Sequence, residues 1–151
     1  MVFRLRMKPV PAALPGLAAT VVLLSVLSAP AHAQTRAKAD VACKQAGGPL
    51  QYDCVVKLID ARSNAPLTGV TLSIGADMPS MPGVHHLRPA RAVEDAEKGN
   101  YRAHLVLDMH GEWALQLNLS GLVRDRVVKL LRFEGAEVTE PKPGERSRHR
   151  H

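Results

Sequence analysis

The chain has five methionines. The three that follow the N-terminal apolar run, Met78, Met81 and Met109, each stand near histidine in a short, turn-rich stretch. The first stretch is Asp77-Met78-Pro79-Ser80-Met81-Pro82-Gly83-Val84-His85-His86, and the second is Asp108-Met109-His110-Gly111-Glu112-Trp113. A thioether is a soft donor and an imidazole a borderline one. Together they suit copper, Cu(I) above all, better than zinc, magnesium or calcium. Met78, Met81, His85, His86, Met109 and His110 are therefore the candidate metal ligands. Pro79, Pro82 and Gly83 keep the first stretch out of helix and regular strand. They also limit how far its ligands can wander, which lowers the ordering cost of binding an ion. Asp77, Asp108 and Glu112 are hard oxygen donors, expected to support the ligands or shape the turns rather than touch a soft ion.

A packing role competes with this chemistry. A lone methionine usually fills a gap in a core, and Met109, beside an apolar run, has both readings open to it. Met78 and Met81 sit among Asp, Pro, Ser and Gly, where there is little reason to bury a side chain. The oxidation state follows from the donors: Cu(I) accepts thioethers at low coordination, whereas Cu(II) prefers nitrogen and oxygen in tetragonal geometry. A blue-copper centre needs a cysteine thiolate beside its histidines, and Cys43 and Cys54 lie far from the Met/His stretches. No intense blue chromophore is expected. His104 is read as an ordinary surface residue.

The elements that must hold these stretches read as strands. Val55 to Asp60 is apolar and rich in β-branched residues, and Ser63-Asn64-Ala65-Pro66 forms a turn. In Val70-Thr71-Leu72-Ser73-Ile74 the apolar side chains alternate with hydroxyls at period two. Residues 75–86 are a loop, and Ala90 to Glu94 a short strand. Tyr101, Ala103, Leu105 and Leu107 share one face, as do Trp113, Leu115, Leu117 and Leu119. Two such runs joined at 109–112 predict an antiparallel hairpin. It would place Met109 on the inward parity and His110 on the outward one. Arg126 to Phe133 is a last strand. No segment carries a sustained helical period. The expectation is an all-β fold, an immunoglobulin-like antiparallel β-sandwich of about five to seven strands with Trp113 in its core. Whether the 75–86 loop and the 109–112 turn meet depends on strands 70–74 and 101–107 pointing the same way, which sequence leaves open.

The ends bound the setting. Arg4, Arg6 and Lys8 precede an uncharged apolar run from Leu17 to Leu27, and Ala31-His32-Ala33 is a small-x-small site. Residues 1–33 thus read as a cleavable export signal; the apolar run is short for a membrane span, which needs roughly 20 residues. The alternative is an uncleaved anchor in the cytoplasmic membrane. No acidic residue precedes Gln34, so the exported part keeps all 14 acidic residues and loses three of the 20 basic ones. That mild, scattered charge is no footprint for nucleic acid. Residues 34–42 read as flexible, 43–133 as the domain, and 134–151 as a polar tail ending Arg146-Ser147-Arg148-His149-Arg150-His151. His149 and His151 could collect metal, as His-rich tails do. Cys43 and Cys54 are expected to form a disulfide across a turn in an oxidising compartment, with two thiolate ligands as the alternative.

The run from Val55 to Ser120 resembles the YtkA-like domain, the type also associated with FixH proteins. The similarity is carried by Asp60 to Pro66-Leu67-Thr68-Gly69-Val70, by Met78-Pro79-Ser80-Met81-Pro82, by Gly99-Asn100-Tyr101-Arg102-Ala103 and by Met109-His110-Gly111-Glu112-Trp113-Ala114-Leu115. The resemblance implies an immunoglobulin-like sandwich outside the cytoplasmic membrane, and an association with copper handling or the assembly of copper-containing oxidases. It implies that Met78, Met81 and Met109 face copper, with His85 or His86 completing the site. FixH-type proteins keep an N-terminal anchor, and the cleavable Ala31-His32-Ala33 here favours a soluble carrier instead. Residues 55–74 also resemble carboxypeptidase-regulatory-like modules, sandwiches with no metal role.

The leading expectation is a non-catalytic periplasmic Cu(I) carrier, buffer or chaperone, with an envelope copper protein or an oxidase assembly factor as partner. The alternative is a metal-independent interaction module of an envelope complex, since methionine also suits adaptable contacts. An enzyme is disfavoured: there is no nucleophile elbow, phosphate loop or H-E-x-x-H zinc motif.

Overall fold

A computed structural model describes residues 35–141. The export signal, its cleavage site and the histidines of the tail lie outside the described residues. Within them there are nine strands: β1 (Ala37–Gln45), β2 (Gln51–Asp60), β3 (Val70–Asp77), β4 (His86–Arg91), β5 (Val93–Glu94), β6 (Asn100–Val106), β7 (Gly111–Gly121), β8 (Asp125–Glu134) and β9 (Glu137–Thr139). They form two antiparallel sheets, ordered β1-β2-β6-β5 and β4-β3-β7-β8-β9. The first order, together with the β3-β7-β8 neighbours of the second, reproduces the ABED and CFG sheets of an immunoglobulin-type sandwich. β4 adds beside β3, and β9 beside β8.

Period-two alternation builds the core. Tyr52, Cys54, Val56 and Leu58 of β2 and Tyr101, Ala103 and Leu105 of β6 are buried from one sheet. Leu72 and Ile74 of β3, Trp113, Leu115 and Leu117 of β7 and Phe133 of β8 meet them from the other. Trp113 is fully buried. The two buried phenols are satisfied: Tyr52 donates to the Gly135 carbonyl, and Tyr101 donates to the Leu67 carbonyl while accepting from the Val70 N–H. Among the described residues no helix is long and apolar enough to cross a membrane.

Four sequence expectations are corrected. The runs around 101–107 and 113–119 are not a hairpin. β6 pairs with β2 and β5, β7 pairs with β3 and β8, and the chain between them crosses from one sheet to the other. The alternation marks an inward face on each strand, and two inward faces can oppose each other across a sandwich as readily as lie side by side. Residues 37–42, expected to be flexible, belong to β1. Its alanines and charges carry little strand propensity, but the ladder with β2, the Cys43–Cys54 disulfide and the bond from the Ala37 N–H to the Asp125 carboxylate hold it in place. The stretch expected as one strand at 90–94 is divided. β4 begins at His86 and tolerates Pro89 because it is an edge strand, and β5 belongs to the opposite sheet. Glu137–Thr139, inside the expected tail, forms β9 against β8.

Candidate metal site

β3 and β7 are antiparallel, and β7 returns from the end that β6 reaches, so β3 and β6 point the same way. The β3–β4 loop and the β6–β7 crossing therefore lie at one end of the sandwich. Specific contacts join them. The ring Nδ1 of His85 lies 2.7 Å from Oδ2 of Asp108. A Cβ added to Gly111 would stand 2.8 Å from Cε of Met78, so the Met78 methyl rests directly on this glycine. Gly111 has φ +137°, a conformation that side chains with a Cβ rarely adopt.

The loop itself is a compact turn. The Met81 N–H donates to the Met78 carbonyl, the Val84 N–H to the Met81 carbonyl, and the Met78 N–H to the His85 carbonyl. The Asp77 carboxylate accepts from the Gly83 N–H. This folding returns His85 to the start of the loop and turns Met78 inward: it is 3 % exposed and part of the core, whereas sequence had given it little reason to be buried. Met81 and Met109 are half-buried and pack against the same core. On the crossing, the Trp113 indole N–H donates to the Met109 carbonyl, which fixes the backbone there.

The six candidate ligands thus divide. Met78, Met81, Met109 and His85 belong to the packed end of the sandwich. His86 begins β4, opposite Asp77, and is exposed. His110 is exposed and directs its Nε2 to the Pro49 carbonyl, 3.3 Å away in the β1–β2 turn. Cys43 and Cys54 are bonded to each other, which removes the thiolate alternative. Among the described residues no group of three or more His, Cys, Asp or Glu side chains is placed to hold a metal ion, so a site at this end needs its thioethers. At this end Met78 is buried and Met81, Met109 and His85 are half-buried; thioethers with an imidazole are a donor set that suits Cu(I). Sequence reasoning missed Gly111 as the seat of Met78. The signal was a glycine directly after His110, where the chain reverses.

A family model, YtkA-like, matches residues 32–118, more than half of the chain. The chain belongs to the YtkA-like family. No curated protein and no solved structure matches it. The YtkA-like match runs through β1 to β6 and most of β7, and so takes in both segments that build the candidate site; β8 and β9 lie beyond it. It also reaches further toward the N-terminus than the resemblance seen from residue 55, which is consistent with β1 being part of the YtkA-like sandwich.

Proposed function

We propose that this YtkA-like protein is a non-catalytic Cu(I)-binding protein of the periplasm, acting as a carrier, buffer or chaperone in copper handling or copper-oxidase assembly, as FixH-like proteins are associated with. The observation that carries the reading is the meeting of the β3–β4 loop with the β6–β7 crossing, which gathers Met78, Met81, Met109 and His85 at one end of the sandwich. Low-coordinate Cu(I) suits thioethers plus one imidazole. The Cys43–Cys54 disulfide supports an oxidising compartment, as does the export signal read in the sequence. The partner on this reading is an envelope protein that donates or accepts copper.

The test is an anaerobic Cu(I) titration of the protein, disulfide intact, against a competing chromophoric chelator. Tight binding near one copper per chain is expected. No competition with the chelator would remove copper and leave the Met/His end as a docking surface.

A further inference from the structure

The contact between His85 and Asp108 specifies more than proximity. Asp108 Oδ2 lies 2.7 Å from His85 Nδ1, a distance at which a carboxylate oxygen accepts from an Nδ1–H. In the neutral ring the lone pair is then on Nε2. A free histidine side chain in water prefers the opposite tautomer. His85 is half-buried, at 26 % side-chain exposure, and Asp108 reaches it from the crossing at 52 %. His86, the next residue, is exposed and starts β4.

We propose that Asp108 is the positioning residue of the metal site: it selects His85 over His86 as the imidazole ligand, and Nε2 over Nδ1 as the ligating nitrogen. The inference rests on the copper reading. A metal-bound histidine commonly donates its second N–H to a carboxylate or another acceptor, which fixes the tautomer and the ring orientation. Here that donor–acceptor pair also ties the β3–β4 loop, which carries Met78 and Met81, to the segment that carries Met109. The fold supplies its own control. His104 Nδ1 lies 2.7 Å from Asp53 Oδ1 on the outer face of the other sheet, in a hollow with no methionine in its lining. The same tautomer is expected there, without copper binding.

The experiment compares the full chain with D108A, D108N, H85A and H104Q. Long-range proton–nitrogen correlation of the metal-free imidazoles reads the tautomer, and anaerobic competition with a chromophoric chelator reads Cu(I) affinity. His85 and His104 are expected in the Nδ1–H form and His86 in the Nε2–H form. D108A should move His85 to Nε2–H and weaken Cu(I) about 10- to 100-fold. D108N, whose side-chain oxygen still accepts, should restore both readouts. In an H85A background D108A should add no further loss, and H104Q should bind as the wild type does. Unchanged affinity in D108A, or His85 remaining Nδ1–H there, overturns the proposal alone. So does D108N with weak binding but the Nδ1–H form retained, since the carboxylate charge would then be the active feature. A wild type that ignores Cu(I) overturns the copper reading and this inference together.

Discussion

At Gly111 the packing of the core and the chemistry of the site meet. Its missing Cβ leaves room for the Met78 methyl, and its φ of +137° suits a residue without a side chain. Gly111→Ala should therefore strain the backbone by about 1 kcal/mol or more, and its added Cβ should displace the Met78 methyl, the far end of a flexible side chain. A lowered melting temperature together with weaker Cu(I) binding is expected. Wild-type binding in a destabilised variant would show that Met78 is only a packing residue. The replacement of Met78 and Met81 by leucine separates the same roles from the other direction. Leucine keeps volume and hydrophobicity, so the cost in stability should stay below about 1.5 kcal/mol for each replacement. The loss of two thioethers should weaken Cu(I) by about 100-fold or more, equivalent to roughly 3 kcal/mol. Calorimetric melting and chelator competition on the double variant check both halves.

At the scale of elements, the strands around Val70–Ile74, Tyr101–Leu107 and Trp113–Leu119 were legible because one buried face writes a period-two pattern into each, and Val55–Asp60 from its apolar, β-branched composition. Which strand sits beside which was not legible. Leu105 and Leu115 mark their inward faces identically whether they share a sheet or oppose each other. The candidate site could be picked out as a set of donor types, since soft residues concentrated in turns stand out in any context. Its division could not: nothing in His85-His86 says which ring meets Asp108, a residue 23 positions away from His85. β1 was invisible for a related reason, because its stability comes from its partners rather than from its own side chains. That gives the disulfide a specific role. Replacing both Cys43 and Cys54 by serine opens a link of sequence separation 11, and removing such a link should cost roughly 2–3 kcal/mol. Hydrogen exchange should show the β1 amides losing protection before those of β2. Cu(I) affinity should be unchanged, because the proposed metal site holds no cysteine; a marked drop would bring the sulfurs of Cys43 and Cys54 back as ligands.

For the whole molecule, the titrating groups make stability depend on pH apart from any bound metal. The backbone N–H groups of Ser63 and Arg62, with the Ser63 hydroxyl, hold the Asp60 carboxyl below the usual carboxylate range. The Arg102 guanidinium and the Ala96 N–H do the same for Asp95. Groups whose folded pKa is depressed contribute stability that is present above about pH 4, the ordinary carboxylate value, and is lost as pH falls through their lower folded values. Burial pushes the phenols of Tyr52 and Tyr101 up, and for Tyr101 the nearby Glu94 adds to the rise while the bond from the Val70 N–H opposes it. An acid whose folded pKa is raised contributes stability that is complete below its unfolded value, about 10, and is lost as pH rises beyond it. The carboxylates should thus lower the melting temperature as pH falls below about 4, and the phenols should lower it as pH rises above about 10. Tyr101→Phe tests the alkaline arm. It removes the hydroxyl that joins the Leu67 carbonyl to the Val70 N–H across the start of β3, so neutral stability should drop by about 1–3 kcal/mol. The fall above pH 10 should become shallower, because one of the two phenols that oppose ionisation in the folded state is gone. An alkaline slope as steep as in the wild type would assign that arm to Tyr52, whose hydroxyl ties β2 to Gly135 beyond β8 and whose ring stands edge-on to Phe133 at 4.7 Å.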